Sequence, residues 1–294
     1  MKKWFGCGWI ALMLVACTLN DPTPLDQVCL ITETVRYQLQ DAAQQEISRQ
    51  SFRYENGRLA AYSDKTPDRS ISFSFKYVGG KVASAYTSDE ATVLSFNYDE
   101  FERIKSASYI VNNKEQSVFS LFYDSNSRTV RLVRLVETRV LLPTNSFIAS
   151  RTFQFSYREI ADNTEDLVSQ TVQNGYKDGS RTEEELVFEQ NSQNHSPFYD
   201  ASGQAIVLAL LALTNHTESN AASYLQRYDT RSFTRQVTAP NGSVVLSESS
   251  QFSTSFDGSY NPSQSTQFSH LSVPADTFPA DRRYQQTYTY NCIE

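Results

Sequence analysis

The sequence predicts an all-β fold: a long antiparallel meander of repeated hairpins, curved into an open barrel or wrapped sheet, with one short apolar helix packed on it. Three observations predict it. Apolar and polar residues alternate, as in Ile71, Phe73, Phe75 and Tyr77, in Leu94, Phe96 and Tyr98, and in Phe153, Phe155 and Tyr157. Period two marks strands with one buried and one wet face, the habit of antiparallel sheets. A strand-turn-strand unit also recurs, with Tyr54, Tyr77, Tyr98 and Tyr123 lying 23, 21 and 25 residues apart. Finally, the aromatics are dominated by 18 Phe and 17 Tyr, residues that suit a pleated, half-buried surface. A meander of about sixteen strands cannot stay flat and must curl or close.

The N-terminus is not part of that sheet. Lys2 and Lys3 precede an apolar run from Trp4 to Ala16, a charged segment followed by one too short to span a bilayer, as in a secretory signal. Leu14-Val15-Ala16-Cys17 resembles the bacterial lipobox, which implies removal of residues 1–16, a diacylglycerol on the Cys17 sulfur and an acyl chain such as palmitate on its amino group. Several chains would hold the protein at a membrane, where one alone anchors weakly. The remaining 278 residues would contain no Trp or Met, 24 Lys and Arg, and 33 Asp and Glu. That acidic balance argues against nucleic acid as a partner. Residues 17–27 read as the lipidated Cys and a Pro-containing tether, and 28–294 as a single domain.

At the start of that domain stands Cys29, and near its end Cys292. Two thiols left in an exported chain suggest a disulfide. Strand parity puts both on apolar faces, with Ile31, Val35 and Tyr37 beside one and Tyr288 and Tyr290 beside the other. Neither Cys nor His falls at metal-ligand spacing, so no metal or cofactor is expected.

The first repeats follow. Phe52-Arg53-Tyr54-Glu55-Asn56-Gly57-Arg58-Leu59 aligns with Phe75 to Val82, with Phe96 to Ile104 after one inserted residue, and with Leu121 to Val130 after two. Asn56-Gly57 and Gly79-Gly80 are two-residue hairpin turns. The recurring Arg58, Lys81, Arg103 and Arg128 read as charges on the wet face beside each turn. Residues 129–142 are apolar on both faces in part: Val130, Leu132, Val136, Val140 and Leu142 on one, Val133, Leu135 and Leu141 on the other. Asp41 to Gln45 is expected to be a polar loop. Two strands between Glu165 and Glu189 flank a turn at Asn174-Gly175 and Lys177-Asp178-Gly179.

Ile206 to Leu213 lacks alternation. Rich in Leu and Ala, it predicts a short buried helix that plugs or lids the curved sheet. After it, Tyr224 to Val237, Val244 to Phe256, Tyr260 to Leu271 and Tyr284 to Tyr290 read as strands, with turns at Asn241-Gly242 and Asp257-Gly258 and a loop from Val273 to Asp281.

The Phe-x-Tyr-turn-Gly-Arg-Leu unit resembles a degenerate YD repeat, the hairpin of RHS-type shells, and the chain is similar to uncharacterised Bacteroidota lipoproteins built from such units. Asn194-His195-Ser196-Pro197-Phe198-Tyr199, followed by the apolar run, is similar to a segment those lipoproteins carry between their hairpin halves. The resemblance implies a hairpin-repeat β fold and no assigned activity.

Chemistry leaves few traces. His195, His216 and His270 are far apart in sequence and match no catalytic or metal spacing. Asp162 to Asp166 lacks the calcium-loop pattern and reads as a hairpin tip, and Glu183-Glu184-Glu185 as a solvated strand face. No catalytic residue is expected. His195, Phe198 and Tyr199 are the candidate binding residues. The expected function is therefore non-catalytic: a monomeric, lipid-anchored envelope protein that binds an envelope protein, a glycan or a lipid, or serves as scaffold. Two alternatives make other demands. A carrier holding a lipid needs an open apolar cavity, and an envelope hydrolase needs converging carboxylates or a buried His. Thr18 in place of Asp after the lipidated Cys favours the outer membrane, facing the periplasm, with surface exposure as the other orientation.

Overall fold

The computed structural model describes residues 28–40, 43–124, 130–140, 148–161, 164–199, 201–213, 219–273 and 280–293. The expected signal, Cys17 and its tether, Arg128, Asp162, Asn163 and His216 lie outside the described residues.

Sixteen strands follow in order among the described residues: β1 (Val28–Gln40), β2 (Ala43–Glu55), β3 (Arg58–Thr66), β4 (Arg69–Val78), β5 (Lys81–Tyr86), β6 (Thr92–Tyr98), β7 (Ile104–Val111), β8 (Lys114–Asp124), β9 (Arg131–Arg139), β10 (Ile148–Ala161), β11 (Thr164–Tyr176), β12 (Arg181–His195), β13 (Tyr228–Thr238), β14 (Val244–Phe256), β15 (Pro262–Ser272) and β16 (Ala280–Ile293). Each pairs antiparallel with its chain neighbours, as expected of a curved hairpin meander, and β1 pairs with β16, which closes the barrel completely. Closure satisfies the two rows of backbone groups that free edges would expose. It runs from Val28↔Ile293 to Leu39↔Arg283 and carries the Cys29–Cys292 disulfide. Cys29 is half-buried and Cys292 exposed, so the bridge lies at the end of the seam and not against an apolar face, as parity had suggested.

The barrel has two rims. On the first stand the repeat turns. Asn56-Gly57 and Gly79-Gly80 take the positive φ angles that two-residue hairpins need, at 51° and 72° and at 58° and 87°. One step from these turns the returning strand carries a bulge, so that Tyr54 faces Leu59, Tyr77 faces Val82, Tyr98 faces Ile104, Tyr123 faces Leu132 and Tyr157 faces Leu167. Each Tyr from the second unit onward then donates its hydroxyl to the backbone of the unit before: Tyr77 to the Leu59 carbonyl at 2.9 Å, Tyr98 to Val82 at 2.8 Å, Tyr123 to Ile104 at 2.8 Å and Tyr157 to Leu132 at 3.0 Å. Gln190 continues the series with its amide on the Leu167 carbonyl. The basic residue of each turn lies over the next unit's ring, with Arg58 5.6 Å from Tyr77, Lys81 5.5 Å from Tyr98, Arg103 4.8 Å from Tyr123 and Arg131 5.3 Å from Tyr157. These cations therefore join adjacent hairpins instead of merely facing water. The bulge also corrects the parity assigned to 129–142. Leu132 and Leu135 both turn inward and are buried, while Val136 is only half-buried and Val140 exposed.

Other expectations shift locally. β2 already begins at Ala43, within the expected Asp41–Gln45 loop. Gly175 lies inside β11, paired with Arg181; the turn is at 177–180, where the Asp178 carboxylate accepts from the Ser180 amide and hydroxyl at 2.8 and 2.6 Å. Ser219–Tyr224 is a 3-10 turn and β13 starts only at Tyr228, because the buried Asp166 carboxylate accepts the Arg227 and Tyr228 amides at 2.8 and 2.9 Å.

The expected helix, α1 (Gly203–Leu213), runs through the lumen, and every residue from Ala205 to Leu211 is buried. It has no polar face because the barrel surrounds it. Gly203 is required where the helix begins, since a Cβ would meet the Tyr224 carbonyl oxygen at 2.7 Å. α1 has no basic residue in its last turn, and the wall supplies two. Arg151, fully buried, donates to the Leu211 carbonyl at 2.7 Å and pairs with buried Glu137; Arg69 reaches the Leu213 carbonyl at 3.5 Å and pairs with Asp64 at 3.2 Å. Cations there complement the negative end of the helix dipole. Around α1 pack Phe52, Phe73, Phe96, Phe119 and Phe153, the inward residues of the repeat strands.

Candidate functional site

The plug does not fill the whole lumen. Beside it, within the wall made by β12 to β16, β1 and β2, lies a cavity of about 410 Å³, within the size range of small-molecule sites. Its inner end is formed by Ser196, Pro197 and Phe198, which follow β12, and by Tyr224 and Gln226, which precede β13. Its outer end reaches Thr66, Leu271 and Arg282, all at the rim away from the repeat turns. The cavity is thus a well whose floor is made by the segments on either side of the plug, with Phe198 from one and Tyr224 and Gln226 from the other.

Polar side chains face inward here. Ser250, Ser265, Gln267 and Ser269 are buried, while their neighbour Phe268 is on the outside. Gln267 donates to the hydroxyls of Ser250 at 3.0 Å and Ser269 at 2.8 Å and accepts from Arg36 at 2.8 Å. Arg36 also lies 4.4 Å from the Tyr284 ring centroid. Arg235 pairs with Glu184 at 2.7 Å and Glu248 at 3.8 Å. Glu184 is buried inside the lumen, which corrects the reading of Glu183-Glu184-Glu185 as a wholly solvated face; Glu183 and Glu185 do face out. Asp229 is buried, and burial pushes its carboxyl up to about 6 against bonds from the Thr254 hydroxyl and Thr230 backbone. Burial likewise pushes the Tyr288 phenol up, with the Asp229 charge adding to it and Arg36 opposing it. Gln226 is 3% exposed; its carbonyl accepts from the Thr230 hydroxyl at 3.0 Å, and its Nε2 has no hydrogen-bond partner among the described residues.

The three candidate binding residues separate. Phe198 reaches the cavity floor, 4.5 Å from the Tyr224 ring and 6.1 Å from Phe52. His195 and Tyr199 are exposed instead, stacked on each other at 5.1 Å, with Tyr228 at 5.9 Å from His195 and Arg227 at 5.1 Å from Tyr199. His270 is exposed and meets Asp281 at 2.7 Å. The residues sequence reasoning missed are Arg36, Gln226, Asp229, Arg235 and Gln267. For Gln267 the signal was the loss of Phe and Leu alternation from β14 onward, where Ser, Thr and Gln occupy both faces; Arg36, Gln226, Asp229 and Arg235 lie before β14 and carried no such signal.

The outer wall is polar. Arg53, Lys76, Arg134, Glu183, Glu185 and Arg283 are exposed within strands, and the outward rings Phe122 and Phe268 lie under Arg134 and Arg283 at 4.0 and 5.7 Å. A membrane-spanning barrel has an apolar outer band and a polar lumen, and each Arg or Lys on a lipid face costs about 2–4 kcal/mol at the midplane. This wall carries charged side chains among its outward positions.

No family model and no curated protein matches the chain. Among solved structures it is similar to a porin-like protein from Bacteroides uniformis, at a TM-score of 0.55 and 11% identity over 89% of this chain and 96% of that one. It is also similar to a porin-like protein from Bacteroides vulgatus, at 0.48 and 10% over 90% and 99%. The first likeness extends the barrel fold to nearly the whole of both chains.

Proposed function

We propose that this protein is a non-catalytic, lipid-anchored protein of the cell envelope that binds a small ligand in the well beside its plug. The observation that carries this reading is the division of the lumen. The repeat side is filled by α1 and by aromatic side chains, and the remaining space is lined by mixed polar and aromatic groups. A lipid carrier would need the filled space open. The polar outer wall supports attachment through Cys17 over insertion of the barrel, and the tether of residues 17–27 reaches at most about 35–40 Å from the membrane. Kinship with the YD-repeat-like lipoproteins is part of the same reading, supported by the hairpin series that links Tyr77 through Tyr157.

Native mass spectrometry on protein purified from its own cells tests the reading. A small molecule bound in the wild type and absent from a cavity-filling Ser265→Phe variant is expected; co-purified phospholipid that survives Ser265→Phe would sink it. Intact mass of the same sample should show loss of residues 1–16 and acyl chains on Cys17.

A further inference from the structure

We infer that the well takes a small organic anion, a carboxylate carried on an apolar or aromatic body. This rests on the reading of the well as a binding site. Gln226 carries the first part of the argument. Its Nε2 is a buried donor without a partner among the described residues, on a residue that lines the well, and leaving such a group unsatisfied is costly. An acceptor-bearing ligand removes that cost.

Charge carries the second part. In a chain of net charge -7, three guanidinium groups, of Arg36, Arg235 and Arg282, line the well against the carboxyls of Asp229 and Glu248. Arg235 is engaged with Glu184 and Glu248. Arg36 is held in place by Gln267 and stacked on Tyr284, and Arg282 is exposed at the outer end. Planar guanidinium groups fixed by packing recognise carboxylates by paired hydrogen bonds.

The body of the ligand follows from the rest of the lining. Phe188, Phe233 and Phe252 form a chain of rings, with centroids 6.4 and 5.9 Å apart, and Phe198 closes the floor. Besides Glu248, which Arg235 faces at 3.8 Å, the carboxyl that opposes an anion is that of Asp229. Its neighbours are the Thr254 hydroxyl, the Thr230 amide and the phenols of Tyr288 and Tyr290, and Arg36 acts on the same Tyr288. Neutralising Asp229 should therefore tighten binding.

Titration calorimetry on the purified full chain would compare 3-phenylpropionate, its neutral amide 3-phenylpropionamide, and cellobiose as a polyol. The acid is expected to bind, with the amide weaker by roughly tenfold or more. Gln226→Leu and Arg36→Gln should each weaken the acid by a similar factor without changing the far-ultraviolet circular dichroism. Binding of the acid should also tighten as pH falls from about 7.5 to about 5.5. Amide or cellobiose binding as tightly as the acid, with loss in Ser265→Phe, overturns the anion while leaving the well as a site. Binding of none of the three also overturns it; a small molecule that still co-purifies and is lost in Ser265→Phe would show that the well itself survives.

Discussion

The arc from β2 to β11 and the arc from β12 through β16 to β1 share one wall, yet one is solid and the other hollow. In the first, inward positions are Phe52, Leu59, Phe73, Leu94, Phe119 and their like, packed onto α1. In the second they include Ser250, Ser265, Gln267 and Ser269; Ser250, Gln267 and Ser269 are joined to one another by hydrogen bonds, and Ser265 accepts one from Thr254. The first arc is also laced from hairpin to hairpin by the hydroxyls of Tyr77, Tyr98, Tyr123 and Tyr157. The difference shows that strand number and register set the diameter of a barrel, while the inward side chains decide whether the lumen is core or site.

The sharpest break in that comparison should come from Arg151. Arg151→Ala takes the closer of two guanidinium partners from the buried Glu137 carboxylate, leaving Arg139 at 3.2 Å, and uncaps α1, and a loss of about 3 kcal/mol is expected in urea unfolding. Ser250→Ala, on the hollow side, should cost no more than about 1 kcal/mol; equal losses would mean that the two arcs do not differ in this way. Reducing Cys29–Cys292, which clasps the β1–β16 seam within the hollow arc, should cost about 2–4 kcal/mol in the same measurement.

Asp229 gives the opposite sign. Its carboxyl is held at about 6 in the folded chain against an ordinary value of 3.8, so between those pH values the native state binds the proton that the unfolded state has lost. Stability should fall as pH rises through this window and stay lower above it, by roughly 3 kcal/mol at most. Asp229→Asn is accordingly expected to raise the melting temperature at about pH 7.5 and to have little effect near pH 4. No gain at the higher pH would contradict the buried setting of this carboxyl. The smallest effect belongs to the tyrosine series, where Tyr98→Phe removes one hydrogen bond to the Val82 carbonyl and should cost about 1 kcal/mol by thermal melting.

Much of the solid arc was legible in the sequence. Alternation placed its strands, Asn56-Gly57 and Gly79-Gly80 placed its turns, and the unbroken apolar run placed the helix. The bulges were not legible by alternation, because one extra residue reverses parity: Leu132 and Leu135 are both buried although they are three apart. That spacing, repeated in Leu59 and Tyr62, Val82 and Ala85, and Ile104 and Ala107, is itself a signal that period two conceals. The hollow arc was hidden for a related reason. A rule that sends polar residues outward assigns Glu184 and Gln267 to solvent, whereas both are buried in the lumen. Closure was hidden because it joins strands from opposite ends of the chain, and only Cys29 and Cys292 hinted at it.

The seam between β1 and β16 also sets an order of events. Every other strand pair joins chain neighbours, whereas Cys29 meets Cys292 across 263 residues. Hairpins form from local contacts, and contacts distant in sequence are slow because much more chain must be ordered first. The barrel should therefore grow as an open meander whose two end strands pair last, and until then both edges stay open to association with other chains. Formation of the disulfide thus marks the end of folding, and a time course of thiol trapping would report when the protein has passed beyond its aggregation-prone stage.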